Sequence, residues 1–178
     1  MREKEIRLLA VNPGSRYTGY AVFHGADLVD WGVRSLREAE PKAKARRLES
    51  LLAESAGTHD VNCIAVKGLP RARSSKCLRD LADFVNRWGE ANVRLVSEHG
   101  IGEIEASLIQ SGALNKRRLM EEVAARYPFL YPELEREKRN RSPYLVRMFE
   151  AVALGMRCLS EMETPKGRKL IENTHEEE

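Results

Sequence analysis

The chain has 178 residues, 32% of them charged, with a formal net charge of +3. That length folds as one domain with a real hydrophobic core, so no metal or disulfide staple is required, and the mild positive charge neither demands nor excludes an anionic partner. Cys63, Cys77 and Cys158 are scattered, with no CxxC pair, which excludes a disulfide framework and a zinc site of ordinary spacing.

The opening MREKEIR holds no apolar run of signal-peptide or membrane-span length, so a cytoplasmic protein is expected. Residues 6–11 are nearly all apolar and predict a central strand buried on both faces. Asn12-Pro13-Gly14-Ser15 interrupts it with strong turn formers, and residues 18–23 resume as a second strand. A turn at Gly25-Ala26-Asp27 leads to a third strand over 28–35, completing an antiparallel meander. Pro41 suits the first turn of a helix whose apolar face carries Leu48, Leu51 and Leu52. Residues 61–66 read as a fourth, buried strand. Ser74 and Ser75 are caps for a helix with Leu78, Leu81, Val85 and Trp88 at helical spacing.

Residues 93–97 predict a fifth strand, and helices follow over 103–110 and 115–127. The proline-broken, charged stretch 128–141 is expected to be a loop or a short frayed helix. Ser142 and Pro143 open a last helix with Leu145, Phe149, Val152 and Met156 on one face. Residues 1–162 then form one domain and 163–178 a polar tail. Strands reached through crossover helices run parallel to the first, so the expected fold is α/β: a mixed five-stranded sheet with helices on both faces.

This order, together with the segment VNPGSRYTGYAVF, resembles the RNase H-like fold and, within it, the RuvC-like Holliday-junction resolvases. The resemblance covers roughly residues 6–160. In that family the opening reads apolar strand, Asp-Pro-Gly-Ser, then Thr-Gly-Tyr and a second apolar strand. SGALNKRR is similar to the family's basic segment before a helix, and FEAVALGM to its last helix.

The resemblance implies a metal-dependent endonuclease in which two Mg²⁺ or Mn²⁺ ions activate water and relieve charge on the leaving oxygen. Such ions require clustered carboxylates from strand ends and the last helix. Carried over position by position, the first-strand carboxylate falls on Asn12, the fourth-strand one on Lys67, and the last-helix one on Glu150, with Arg147 one turn earlier. Only Glu150 is acidic. An ammonium ~4 Å from a divalent ion costs about 8 kcal/mol at an effective dielectric of about 20, on the order of five decades of affinity. The resemblance therefore implies an altered catalytic site with cleavage lost or much reduced, and an ion-pair cluster where metals would lie. Taken singly, each residue also has a plainer reading: Asn12 as a turn former, Lys67 as a solvated charge, Glu150 as a surface carboxylate.

Glu98 in VSEHGIGEIE is the remaining candidate metal ligand beside Glu150. His99 reads as a polar loop residue, and Glu103 and Glu105 cannot share one helix face. The basic segments supply candidate phosphate contacts: Arg71, Arg73 and Lys76 in RARSSK; Lys116, Arg117 and Arg118 in NKRR; Arg139 and Arg141 in REKRNR. Three solvated loops are the alternative. The expected partner is branched or duplex DNA, and the resemblance implies a homodimer. The rival function is an active junction endonuclease with a non-standard ligand set.

Overall fold

The computed structural model describes residues 5–140, 143–164 and 167. Five strands form one sheet: β1 (Arg7–Asn12), β2 (Tyr17–His24), β3 (Asp27–Ser35), β4 (Cys63–Gly68) and β5 (Leu95–Gly100), in the order β3-β2-β1-β4-β5. β1 pairs antiparallel with β2 and parallel with β4, and β5 is parallel to β4. The mixed sheet expected from the chain order is the one observed.

β1 lies at the centre, and its alternating side chains divide between two cores. Leu8 and Ala10 join the layer under α6 (Pro143–Met162), while Leu9 and Val11 face α1 (Pro41–His59) and α2 (Lys76–Asn92). That two-sided burial explains why residues 8–11 read as an unbroken apolar run. Around α6 pack α3 (Ile101–Leu108), α4 (Lys116–Arg126) and α5 (Tyr131–Asn140).

Local chemistry accounts for the helix starts. Pro41 occupies the first turn of α1, Ser75 Oγ accepts from the Leu78 amide at 3.2 Å, and Asn115 Oδ1 accepts from the Arg118 amide at 3.0 Å. Two expectations change. The stretch 128–141 is a 3₁₀ turn over Pro128–Leu130 followed by the ten-residue α5, because Pro132 falls in the first turn, where a missing amide costs nothing. The buried Leu134 holds α5 in the core layer beneath α6. The fifth strand begins later and runs through His99, which is therefore a strand residue, not a loop residue. Ser142 and nearly all of the expected tail lie outside the described residues.

The motif glycines let α6 approach the sheet. A Cβ on Gly19 of β2 would stand 2.0 Å from the Arg147 carbonyl oxygen, backbone against backbone. One on Gly14, in the β1–β2 turn, would stand 2.1 Å from the Tyr17 carbonyl oxygen and 3.2 Å from Arg147 Cζ. The small residues of NPGSRYTG thus fix where Arg147 and Glu150 are delivered.

Candidate functional site

Asn12 ends β1, Lys67 lies one residue before the end of β4, and Glu150 sits in the middle of α6. Strand alternation turns Asn12 and Lys67 toward α6, because Val11 and Val66 before them face α1 and α2. The three side chains meet. Lys67 Nζ donates to Glu150 Oε2 at 2.6 Å, and Asn12 Nδ2 donates to the same oxygen at 2.7 Å. Asn12 Nδ2 also reaches the Arg147 carbonyl oxygen at 3.2 Å. Both neighbours are acceptors, which fixes the amide: its nitrogen faces them, and the oxygen points away. The amide therefore serves the carboxylate, and the Asn12 carbonyl does not hold the ammonium.

The cluster is buried, with the Lys67 and Glu150 side chains 11% and 2% exposed. Burial pushes the Glu150 carboxyl up, but Lys67, Lys116 and the Asn12 amide together hold it below the ordinary carboxylate range. Burial also pushes the Lys67 ammonium down, and Lys116 and Arg147 add to that, while Glu150 opposes it. At neutral pH the lowered value leaves the carboxylate ionised, and Lys67 donates to it.

Two further cations complete the surroundings. Lys116, at the start of α4, brings Nζ within 3.4 Å of Glu150 Oε1, an ion-pair distance without hydrogen-bond geometry. Arg147 lies one turn before Glu150, and its Nη1 donates to the Pro13 carbonyl at 3.4 Å. Lys44 of α1, which the sequence pattern did not single out, donates to the Ser15 and Leu36 carbonyls and ties the β1–β2 turn to the end of β3.

Glu98 does not join this group. It pairs in register with Val66, on the α2 face of the sheet, and accepts from Asn86 Nδ2 at 2.9 Å. The notion of Glu98 and Glu150 as joint metal ligands fails because the sheet lies between them. His99 points the other way and is buried, with Nε2 2.7 Å from Ser97 Oγ and 3.2 Å from Glu161 Oε2. Glu103 accepts from the Gly100 amide at 2.9 Å and closes the start of α3.

The basic segments fall at different places. The first follows the end of β4, with Arg73 and Lys76 exposed and Lys76 paired to Asp80 at 2.7 Å. Lys116 is the residue that reaches the buried carboxylate, from a segment the sequence did not place beside the site. Arg117 and Arg118 pair along α4 with Glu121 and Glu122, and Arg139 is exposed on α5. The backbone of Arg71 lies in a 3₁₀ turn, and Arg141 lies outside the described residues.

No protein-family model and no curated protein matches the sequence. Solved structures do match. Thermus thermophilus RuvC superposes with a TM-score of 0.67 at 17% identity, covering 88% of this chain and 95% of that one. The fold is that of RuvC. The same RuvC in complex with Holliday junction substrate gives a TM-score of 0.64 at 16% identity, covering 88% of this chain and 94% of that one. The yeast mitochondrial Holliday junction resolvase Ydc2 gives 0.58 at 11% identity, covering 95% of this chain and 84% of that one.

The RuvC fold raises the question of whether these residues suit divalent metals. Two buried oxygens, Asn12 Oδ1 and Glu150 Oε1, lack hydrogen-bond partners, and oxygens are what a hard cation takes. Yet the one carboxylate stands against Lys67 and Lys116, with the Arg147 charge acting on Lys67, and its other oxygen already carries Lys67 and Asn12. Among the described residues, no three His, Cys, Asp or Glu side chains cluster to hold a metal. The group does not fit a pair of divalent ions.

Proposed function

We propose that this chain is a RuvC-like protein that binds branched or duplex DNA and in which metal-dependent junction cleavage is lost or much reduced. The observation that carries the reading is the Lys67 ammonium 2.6 Å from Glu150, the single carboxylate among Asn12, Lys67 and Glu150, where two strand ends meet the last helix. In a two-metal mechanism that space holds the cations that activate water and shield the leaving oxygen. An ammonium there supplies charge but neither a metal-bound nucleophile nor an open coordination position.

Binding is supported by the exposed Arg73, Lys76, Lys116, Arg117 and Arg139, with Arg118 partly exposed beside them. The pairs that Lys76, Arg117 and Arg118 make with helix carboxylates are solvent-accessible and weak, so phosphates compete for these side chains at little cost. Arg71 and Arg141 complete the candidate set from the sequence. The fold likeness to a protein solved with Holliday junction DNA favours branched DNA among duplex forms, and the family resemblance favours a homodimer.

Gel shifts with a four-way junction at about 50 and about 200 mM salt test the reading. Binding that weakens steeply with salt is expected, without cleavage in Mg²⁺ or Mn²⁺. Cleavage that disappears in Glu150→Ala would establish the rival reading of an endonuclease with an unusual ligand set. Absence of salt-dependent binding would remove DNA as the partner.

A further inference from the structure

We propose that Lys67, Lys116 and Arg147 form a metal-free seat for one phosphate group, the Glu150 carboxylate serving as a buried post that holds the ammoniums in place. The ligand is a phosphodiester of the bound nucleic acid, so the proposal rests on the DNA-binding reading and says how one phosphate is met. Lys67 and Lys116 both stand within 3.4 Å of the one carboxylate, and the Arg147 charge acts on Lys67 from the Pro13 side, leaving an excess of positive charge at the place where strand ends and helix converge. An excess of that sign repels divalent ions and attracts a phosphate.

Each cation is positioned by a different element. Lys67 is pinned by Glu150, and Arg147 leans on the Pro13 carbonyl beneath the β1–β2 turn. Lys116 approaches from outside, its side chain 64% exposed, with Nζ aimed at the buried Glu150 Oε1. The approach is therefore from the α4 side. On the other side Lys67 borders a cavity of about 440 Å³ beside α2, but there Asp80, Asp83 and Glu98 offset Lys76 and Arg79. The unbalanced charge lies with Lys116, so the phosphate is expected between Lys116 and Lys67.

Glu150 gives the test a sign. In a metal site, Glu150→Gln removes a ligand and weakens binding of a phosphate bridged by the metal. In a cationic seat, the glutamine oxygen still accepts from Lys67 while the one repulsive charge is gone, so binding tightens. Lys116→Gln is the complementary variant, at an exposed side chain whose loss leaves the core intact.

Two arms separate the seat from the nucleic acid. In the first, melting temperature is followed in chelator as inorganic phosphate replaces chloride at constant ionic strength. A phosphate-specific rise is expected, smaller in Lys116→Gln and larger in Glu150→Gln. In the second, junction binding is followed by fluorescence anisotropy in chelator over a range of salt. Lys116→Gln should make the salt slope shallower by about one. Glu150→Gln should tighten binding roughly threefold or more, the order expected for one unit charge removed near a screened phosphate. Junction binding untouched by both variants, or a phosphate response untouched by both, overturns the seat while leaving DNA binding in place. A wild-type protein that responds to phosphate but ignores DNA overturns the DNA reading instead. Binding that requires Mg²⁺ and is weakened by Glu150→Gln overturns the seat in favour of a metal.

Discussion

Glu150 on the last helix and Lys67 on the fourth strand are 83 residues apart in sequence, yet their charged atoms lie 2.6 Å apart in a buried pocket. Each is costly to bury alone, and each offsets the cost of the other. The pair is therefore a mutual dependence more than a source of stability, and the two single variants differ in kind from the double one.

Lys67→Met leaves a carboxylate buried with only the Asn12 amide and the nearby Lys116 to compensate it. Breaking a buried pair this way costs about 3–5 kcal/mol, and Lys116 places the expectation at the lower end. Adding Glu150→Leu should recover most of the loss, because an apolar pair of similar volume needs no compensation. Urea unfolding of the three proteins measures both effects.

Acid should act through the same carboxylate. Glu150 is held below its ordinary range when folded, whereas an unfolded glutamate titrates near about 4.3. The folded state thus gains stability that is fully present above about pH 4.3 and is lost as pH falls through the lowered folded value. Glu150→Gln should flatten that acid limb, read from unfolding midpoints between about pH 5 and pH 2. Lys67 contributes with the opposite sign from a solvent-exposed, salt-bridged lysine. Its folded value is lowered, so stability rises as pH climbs through that value toward the ordinary lysine range.

Restoring carboxylates should turn the pocket toward cations. Asn12→Asp with Lys67→Glu places two new carboxylates beside Glu150, and three such groups crowd one another when no metal is present. The double variant should melt lower than wild type in chelator and regain stability with Mn²⁺, to which the wild type should be indifferent. Melting curves with and without Mn²⁺ decide this, whether or not the variant cuts DNA.

Gly19→Ala probes delivery of the helix. Its new Cβ meets the Arg147 carbonyl at 2.0 Å, and backbone cannot rotate away as a side chain can. Overpacking of this kind costs about 1–3 kcal/mol, and the rigid obstacle sets the expectation at the upper end or beyond. Because the shifted segment carries Arg147 and Glu150, junction affinity should fall along with the melting temperature.

Much of this was legible along the chain. The three-strand meander and the parallel strands follow from runs of apolar residues and turn formers, whereas the meeting of Asn12, Lys67 and Glu150 follows from the resemblance to the RuvC-like family. What escaped depends on contacts made across the fold. Pro128 and Pro132 read as breakers, although a proline in a first turn is harmless and Leu134 buries the helix that follows. His99 read as polar and therefore peripheral, yet Ser97 and Glu161 satisfy it inside. Lys116 lay in one of three similar basic segments, and nothing local distinguishes the lysine that ends 3.4 Å from a buried carboxylate. The direction of the Asn12 amide was set by two acceptors more than 130 residues away.

The packing of α6 on β1 and β2 also governs how the chain reaches its fold. Those contacts join residues near the start to residues near 150, as in the Asn12–Arg147 bond across 135 positions. Closing so long a loop precedes any gain from it, so this half of the core is expected to form late. During synthesis, Leu8, Ala10, Ala21 and Phe23 wait without their cover until the final helix has emerged. A chain cut short before α6 would therefore retain most of its strands and present an uncovered apolar sheet, a substrate for chaperones or for aggregation rather than a smaller working domain.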